Sequence, residues 1–371
     1  MITPTPPGPT AFARFIRQDV QSMHGYAIQD ARGMVKLDAM ENPFRLPPAL
    51  QAELGARLGA VAINRYPTTC VAQVVAALAA HIGLPAGCAL TLGNGSDELI
   101  TLLSMLVDAP LADARPPVVL APVPGFVMYE MSAKLQGLRF VGVPLRAADF
   151  ELDAPAMLAA IAQHQPAITY LAYPNNPTAN LWDDAVIGQI IAATAAYGGL
   201  VVMDEAYQPF AARTWLTRLQ ATGNVLVMRT LSKFGLAGVR LGYLVGPAAL
   251  VAEVDKLRPP YNVSVLNAEA TLFALQHAAV FAEQARVLRE QRARLLVELS
   301  SLPGVTPFPS EANMLLVRVP DSAKAFSGMK ARGVLVKHIA GLHPLLANCL
   351  RLTVGTPDEN TLMLQALAAS L

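Results

Sequence analysis

The chain has 371 residues, with 28 Lys and Arg against 27 Asp and Glu, for a net charge of +1. That balance excludes a strongly basic nucleic-acid binder and an acidic tail. Hydrophobic residues make up 53% and charged residues only 15%, which excludes disorder as the general state and raises the question of a membrane.

The charge-free stretch from Ala185 to Met203 is long enough on paper to span a bilayer. It is interrupted by Gln189, Thr194 and the pair Gly198-Gly199, so it reads as a buried helix, a glycine turn and a buried strand. The stretch from Tyr66 to Ser96 is broken by glycines and a proline before a span is complete. The N-terminal sequence carries prolines where a secretory signal needs an apolar helix, and a cytoplasmic enzyme with no membrane partner is expected. Three cysteines, Cys70, Cys88 and Cys349, are odd in number and widely spaced, so no disulfide framework follows. His338 and His343 form the closest histidine pair, without the Cys or carboxylate ligands that would complete a metal site; no metal is expected.

In chain order, VKLDAM (35–40) reads as a short strand, and 48–60 and 69–81 as helices. A strand at 89–92 leads through GNGSDE into a helix ending at Val107. PVVLAP (117–122) is a buried strand, 126–135 a helix, 138–145 a strand and 154–163 a helix. AITYLAY (167–173) is a strand ending at PNNPT. Asp183 starts a helix to Ala196. LVVMDEAY (200–207), NVLVMRTLSK (224–233) and VRLGYLVG (239–246) read as strands. Long helical patterns follow at 262–276 and 279–301, then strands at 312–319, 334–337 and 349–355, separated by a helix at 322–332 and closed by a helix from Pro357. The alternation predicts an α/β fold with an open, mostly parallel sheet between helices, followed by a smaller α+β domain. The expected division is an N-terminal arm and part of the small domain (1–44), a large domain (45–260) and a small C-terminal domain (261–371).

In such sheets ligands bind beyond the carboxyl ends of the strands, and here those ends carry GNGSDE, PNNPT, DEAY and TLSK. Lys233, behind a strand and among apolar neighbours, suits a nucleophilic amine; alone it reads more readily as a surface lysine. Asp204 follows four apolar residues, so it is partly buried and needs a cationic partner. GNGSDE precedes a helix whose N-terminal amides suit a phosphate, although glycine turns are common, and NNP is often only a turn. A Schiff-base lysine, a carboxylate for a pyridinium nitrogen and a phosphate cup are together what pyridoxal phosphate requires.

The stretches VKLDAMENP (35–43), RYP (65–67), GNGSDELI (93–100), PGFVMY (124–129), PNNPT (174–178), DEAY (204–207), RTLSK (229–233), GLAGVRLGY (235–243), RPPYNVS (258–264) and LRLTVGTPDEN (350–360) stand in one order across nearly the whole chain. The chain thereby resembles the fold-type-I pyridoxal-phosphate aminotransferases, and among them the histidinol-phosphate aminotransferase family. The resemblance implies pyridoxal 5′-phosphate as cofactor, with Lys233 as the residue that links it and moves the proton. Asp204 would pair with the ring nitrogen, Tyr207 and Asn176 would donate to the phenolic oxygen, and Phe126 would stack on the ring. Ser96, Asp97, Thr230, Ser232 and Arg240 would surround the phosphate. Tyr66 would reach the phosphate of a neighbouring subunit, making a homodimer with shared sites. Arg351 would grip the acceptor carboxylate, with Tyr26, Asn42 and Lys337 as further substrate contacts.

The implied reaction takes small molecules, L-histidinol phosphate and 2-oxoglutarate, to imidazole acetol phosphate and L-glutamate. An aromatic or broad-specificity aminotransferase, and a pyridoxal-phosphate decarboxylase of phosphorylated amino acids, would share the cofactor residues. A ligand-sensing regulator on the same fold would need an added DNA-binding module, and the neutral charge argues against one. Four departures from the family pattern stand out, one being Lys337, which stands where some relatives carry a second arginine. Lys233 and Arg240 are seven residues apart, one closer than in relatives that read SKAFGLAG. Ala179 stands in a turn that favours glycine. Met40 stands where many relatives have asparagine.

Overall fold

A computed structural model describes residues 16–21, 29–107 and 115–371. It divides into two units, residues 1–32 and 33–371. In the first, a single turn of helix, α1 (Gln18–Gln21), is described, and the Arg32 guanidinium pairs with Asp30 at 2.6 Å.

The second unit opens on a two-residue strand, β1 (Val35–Lys36), shorter than the expected 35–40. The chain leaves the extended form before Met40, which takes a left-handed φ of 52°. Asparagine tolerates that region better than most residues, methionine less readily. Two amphipathic helices follow, α2 (Pro48–Gly59) and α3 (Cys70–Ile82).

Seven strands of five or six residues then build the main sheet. They are β2 (Cys88–Gly93), β3 (Val118–Val123), β4 (Arg139–Pro144), β5 (Ile168–Ala172), β6 (Leu200–Asp204), β7 (Val225–Thr230) and β8 (Gly242–Pro247). Their order is β2-β8-β7-β6-β5-β3-β4. The pairs β7–β6, β6–β5, β5–β3 and β3–β4 are parallel, while β8 is antiparallel to both neighbours. The inner strands are buried almost along their whole length, as strands covered on both faces must be; Val201, Val202, Val225, Leu226 and Val227 are fully buried.

Helices α4 (Gly95–Leu106), α5 (Val127–Leu135), α6 (Ala154–His164), α7 (Asp184–Ala195) and α8 (Ala248–Asp255) cover this sheet. On one side Leu99, Leu103 and Tyr129 pack on Val119, Val202 and Leu226. On the other, Ile161, Ile187 and Ile190 pack on Leu171, Val201 and Val227. Asp183 caps α7 by accepting from the Ala185 and Val186 amides. The segment 185–203 is the expected helix, turn and strand: Gly198 has φ 73° and leads into β6. Among the described residues no single helix is long and apolar enough to cross a membrane.

After α8 come α9 (Val265–Gln276) and the long α10 (Ala278–Ser300). A second sheet of four strands follows in the order β12-β13-β10-β9, from β9 (Thr306–Pro307), β10 (Met314–Arg318), β12 (Lys337–His338) and β13 (Cys349–Thr353). The strand β11 (Val334–Leu335) pairs instead with β1. Helices α11 (Ser322–Ala331) and α12 (Pro357–Ala368) complete this region. Its core joins Leu295, Leu299, Met314, Leu350 and Met363 with Leu37 and Met40 from the chain's early segment.

Candidate active site

Because only β8 is reversed, the carboxyl ends of β2, β5, β6 and β7 lie along one edge of the sheet, where β8 begins: Gly93 and Thr230 both face Gly242. This edge gathers GNGSDE, PNNPT, DEAY and TLSK around one cavity. Ser96, Asp97, Phe126, Asn176, Asp204, Tyr207, Thr230, Ser232, Lys233 and Arg240 all line it. Residues expected from the sequence to hold one cofactor are thus brought together by topology.

The cup forms where α4 starts. Asn94 precedes the helix without a side-chain cap bond to it, so the first amides remain available to an anion. Backbones and a guanidinium approach closely here. A Cβ on Gly95, whose φ is +76°, would lie 2.7 Å from Arg240 Nη2, and one on Gly242 would lie 2.7 Å from the Gly95 carbonyl carbon. Arg240 donates to Ser232 Oγ at 3.4 Å and pairs with Asp97 at 3.2 Å. The expected strands over 224–233 and 239–246 are shorter than the sequence suggested. Residues 232–236 form a π-helical turn, 237–239 a tight turn, and Arg240 has a left-handed φ of 53°. That compressed path aims Arg240 at the cup despite its closer spacing to Lys233.

Asp204, at the end of β6, is 4% exposed. Its Oδ2 accepts from the Tyr129 hydroxyl at 2.6 Å and its Oδ1 from the Ala206 amide at 3.0 Å. No cation pairs with it among the described residues, so burial raises it to about 6 despite those two donors. Glu205 next to it is different: it is fully buried but bound to Arg229 at 2.8 Å. Across the cavity, the Lys233 ammonium donates to the Ala39 carbonyl at 3.0 Å. Burial, with the Arg351 charge beside it, lowers Lys233 to about 8. Nζ lies 5.9 Å from the Tyr207 ring centre, and burial pushes the Tyr207 hydroxyl above its ordinary value.

Arg351, on β13, is tied to the cavity wall. Its Nη1 donates to Asn176 Oδ1 and its Nη2 to the Asp38 carbonyl, both at 2.8 Å. Lys337 stands opposite Arg351 in the β12–β13 register, so the two share a face. Asn42 is committed elsewhere: its amide donates to Gln284 at 2.8 Å and its carbonyl accepts from the Phe44 amide at 2.9 Å. Tyr66 is outside this cavity, 73% exposed and stacked on Tyr261 with centroids 4.6 Å apart. Tyr26 lies outside the described residues. Ala179 has a left-handed φ of 65°, the conformation that favours glycine there.

Sequence reasoning missed Tyr129 and Met40, which also line the cavity. Tyr129 lies one helical turn after Phe126, a spacing that places both on one face at the start of α5.

The residues present fit pyridoxal phosphate. The buried carboxylate lacks a cation, the amine faces the same space, and the uncapped helix start with Arg240 offers a phosphate cup. The family "Aminotransferase class I and II" matches residues 32–367. The histidinol-phosphate aminotransferase of Methylibium petroleiphilum is 70% identical over 99% of this chain and 97% of that protein. The protein of the same name from Acidovorax sp. is 65% identical over 100% of both. The structure of histidinol-phosphate aminotransferase from Sinorhizobium meliloti in complex with pyridoxal-5′-phosphate shares the fold, with a TM-score of 0.80 and 24% identity over 97% of this chain and 98% of that one. The chain belongs to the class I and II aminotransferases, enzymes that depend on pyridoxal 5′-phosphate.

Proposed function

We propose that this enzyme transfers the amino group of L-histidinol phosphate to 2-oxoglutarate. The observation that carries the reading is the 70% identity to a histidinol-phosphate aminotransferase over 99% of the chain. The site's chemistry supports it. When bound, pyridoxal phosphate supplies a carbonyl that takes up amines and a protonated ring that draws electron density from the substrate Cα.

The chain's own residues do the rest. Ser96, Asp97, Thr230, Ser232, Arg240 and the first amides of α4 would hold the phosphate. Asp204 would face the ring nitrogen and keep it protonated, Phe126 would lie on the ring, and Tyr207 and Asn176 would orient its phenolic oxygen. Lys233 would hold the cofactor covalently. Its freed amine then moves the proton at the substrate Cα, and a value near 8 keeps a useful share of it neutral near physiological pH. Arg351, already oriented by Asn176 and Asp38, would take the 2-oxoglutarate carboxylate bidentately. Lys337 beside it adds positive charge for the phosphate of the other substrate; Tyr26 is a further candidate substrate contact.

The enzyme would act as a cytoplasmic homodimer in which Tyr66 serves the neighbouring subunit's phosphate. Its exposed ring, held by Tyr261, supports that. The chain would divide into an arm with part of a small domain (1–44), a cofactor domain (45–260) and a small domain (261–371). The test is coupled kinetics with L-histidinol phosphate, phenylalanine and phosphorylated amino acids. The reading requires 2-oxoglutarate-dependent turnover of histidinol phosphate, and it falls if phenylalanine is preferred or if carbon dioxide is released without glutamate formation.

A further inference from the structure

We infer that Tyr129 is a positioning residue for Asp204, holding that carboxylate ionised and in one orientation toward the cofactor's ring nitrogen. The inference rests on the reading of Asp204 given above.

Asp204 sits at the end of β6 with its two oxygens divided between two donors. Tyr129 Oη reaches Oδ2 at 2.6 Å and the Ala206 amide reaches Oδ1 at 3.0 Å. An ionised carboxylate has about four acceptor sites, so two remain for a ligand in the cavity, which Asp204 and Tyr129 both line. The amide is part of the backbone. The hydroxyl is the one side-chain donor to this carboxylate among the described residues.

That donor is immobilised. Tyr129 is 2% exposed, its ring stacks on Tyr170 with centroids 4.3 Å apart and planes within 5°, and Phe126 meets its edge at 5.6 Å. A ring clamped on two sides cannot swing its hydroxyl away. Burial and the Asp204 charge hold the phenol well above its ordinary value, so it remains a donor throughout the working pH range.

The other charged and titratable groups around Asp204 are already engaged or bear the wrong sign. Glu205 is bound to Arg229 of β7, and Asp97 of α4 is paired with Arg240. Tyr207 is a buried phenol on the following turn, and Tyr170 of β5 lies behind Tyr129. Both acids oppose ionisation of Asp204. The Tyr129 hydroxyl is the side-chain group that favours it, because a hydrogen bond to the charged form stabilises that form.

The test is the pH dependence of pyridoxal phosphate binding, read by fluorescence titration from pH 5 to 9 on wild type, Tyr129→Phe, Tyr170→Phe and Asp204→Asn. Circular dichroism establishes that each is folded. Below the Asp204 ionisation, binding weakens by up to about ten-fold per pH unit. The cofactor's phosphate and the Lys233 amine, lowered to about 8, ionise in the same range and contribute equally to all four proteins, so the difference between variants is the reading. In Tyr129→Phe the acid limb begins about one pH unit higher than in wild type, with affinity at pH 9 little changed. Tyr170→Phe, which keeps the stacked ring, follows wild type. Asp204→Asn loses the Asp204 share of the limb. An unmoved limb in Tyr129→Phe, with the limb reduced in Asp204→Asn, overturns the role of Tyr129 alone. An equal shift in Tyr170→Phe overturns it as a general packing effect. A full limb retained in Asp204→Asn overturns the reading of Asp204 and this inference with it.

Discussion

The Lys233 ammonium donates to the Ala39 carbonyl at 3.0 Å, joining residues 194 positions apart in sequence. The same short segment binds Arg351, through the Asp38 carbonyl and Arg351 Nη2 at 2.8 Å. It is anchored in turn by Met40, whose amide donates to Thr353 Oγ1 and whose carbonyl accepts from Asn313, each at 3.0 Å. Residues 38–40 therefore tie the amine on the main sheet to the guanidinium on the second one, and their left-handed turn at Met40 is held from both sides.

If Lys233 holds the cofactor and moves the proton as proposed, replacing it by alanine removes both the covalent hold and the mobile amine. Turnover is expected to fall by about 10³-fold or more, and borohydride reduction followed by peptide mass spectrometry should find no cofactor on the protein. Cofactor fixed at another lysine contradicts the assignment. In wild type, the rate of cofactor incorporation should rise with pH through about 8, following the neutral amine.

Asp204 links stability to pH in the cofactor-free protein. Burial raises its carboxyl from 3.8 to about 6, so the proton is held more tightly in the folded chain. Its contribution to stability is fully present below pH 3.8 and lost as the pH rises through about 6. Denaturant unfolding of wild type and Asp204→Asn across pH 4 to 7 cancels the other groups. The difference should move against wild type by about 1–3 kcal/mol over that range; a flat difference contradicts the burial of an unpaired carboxylate.

Arg351→Lys keeps the charge but loses the planar fork that Asn176 and Asp38 orient. The KM for 2-oxoglutarate should rise about 10–100-fold, with a smaller change in the rate of the half-reaction with histidinol phosphate. Equal losses in both half-reactions would assign Arg351 a general structural part instead.

Tyr66→Ala and Lys233→Ala proteins, mixed after partial denaturation, test the shared site. If Tyr66 serves the neighbour, each mixed dimer regains one intact site, and activity should recover to about a quarter of wild type for random pairing. No recovery above the parents places Tyr66 outside the neighbour's site.

Ala179 holds a left-handed φ of 65°, which costs an L-residue about 1 kcal/mol. Ala179→Gly should leave the thermal midpoint unchanged or slightly raised. Ala179→Val, β-branched and with no solvent exposure at this site, should lower it by several degrees.

Strand ends were the legible part of this sequence. Apolar runs ending in DEAY, TLSK and PNNPT carry the alternation of an α/β sheet and mark their own polar termini, and topology gathers them. The turn from Ser232 to Arg240 was legible only in its middle, because the strand patterns run to Lys233 and resume at Val239. Leu231 and Val239 are apolar enough to extend a strand pattern at either end, and it is the backbone compression at Gly235 and Arg240 that shortens both strands. The reversal of β8 was equally silent, since a fully buried strand shows no alternation to reveal its direction. Tyr129 escaped because its partner, Asp204, is 75 residues away, and its stacking on Tyr170 depends on β3 lying next to β5 in the sheet.

The central claim is most directly tested by measuring kcat/KM of the purified, cofactor-loaded protein for L-histidinol phosphate and for phenylalanine, each with 2-oxoglutarate. A site that uses the substrate phosphate should favour histidinol phosphate by about 10²-fold or more, the scale of a charge-assisted hydrogen bond left unmade in a binding pocket. Equal values, or a preference for phenylalanine, would contradict it.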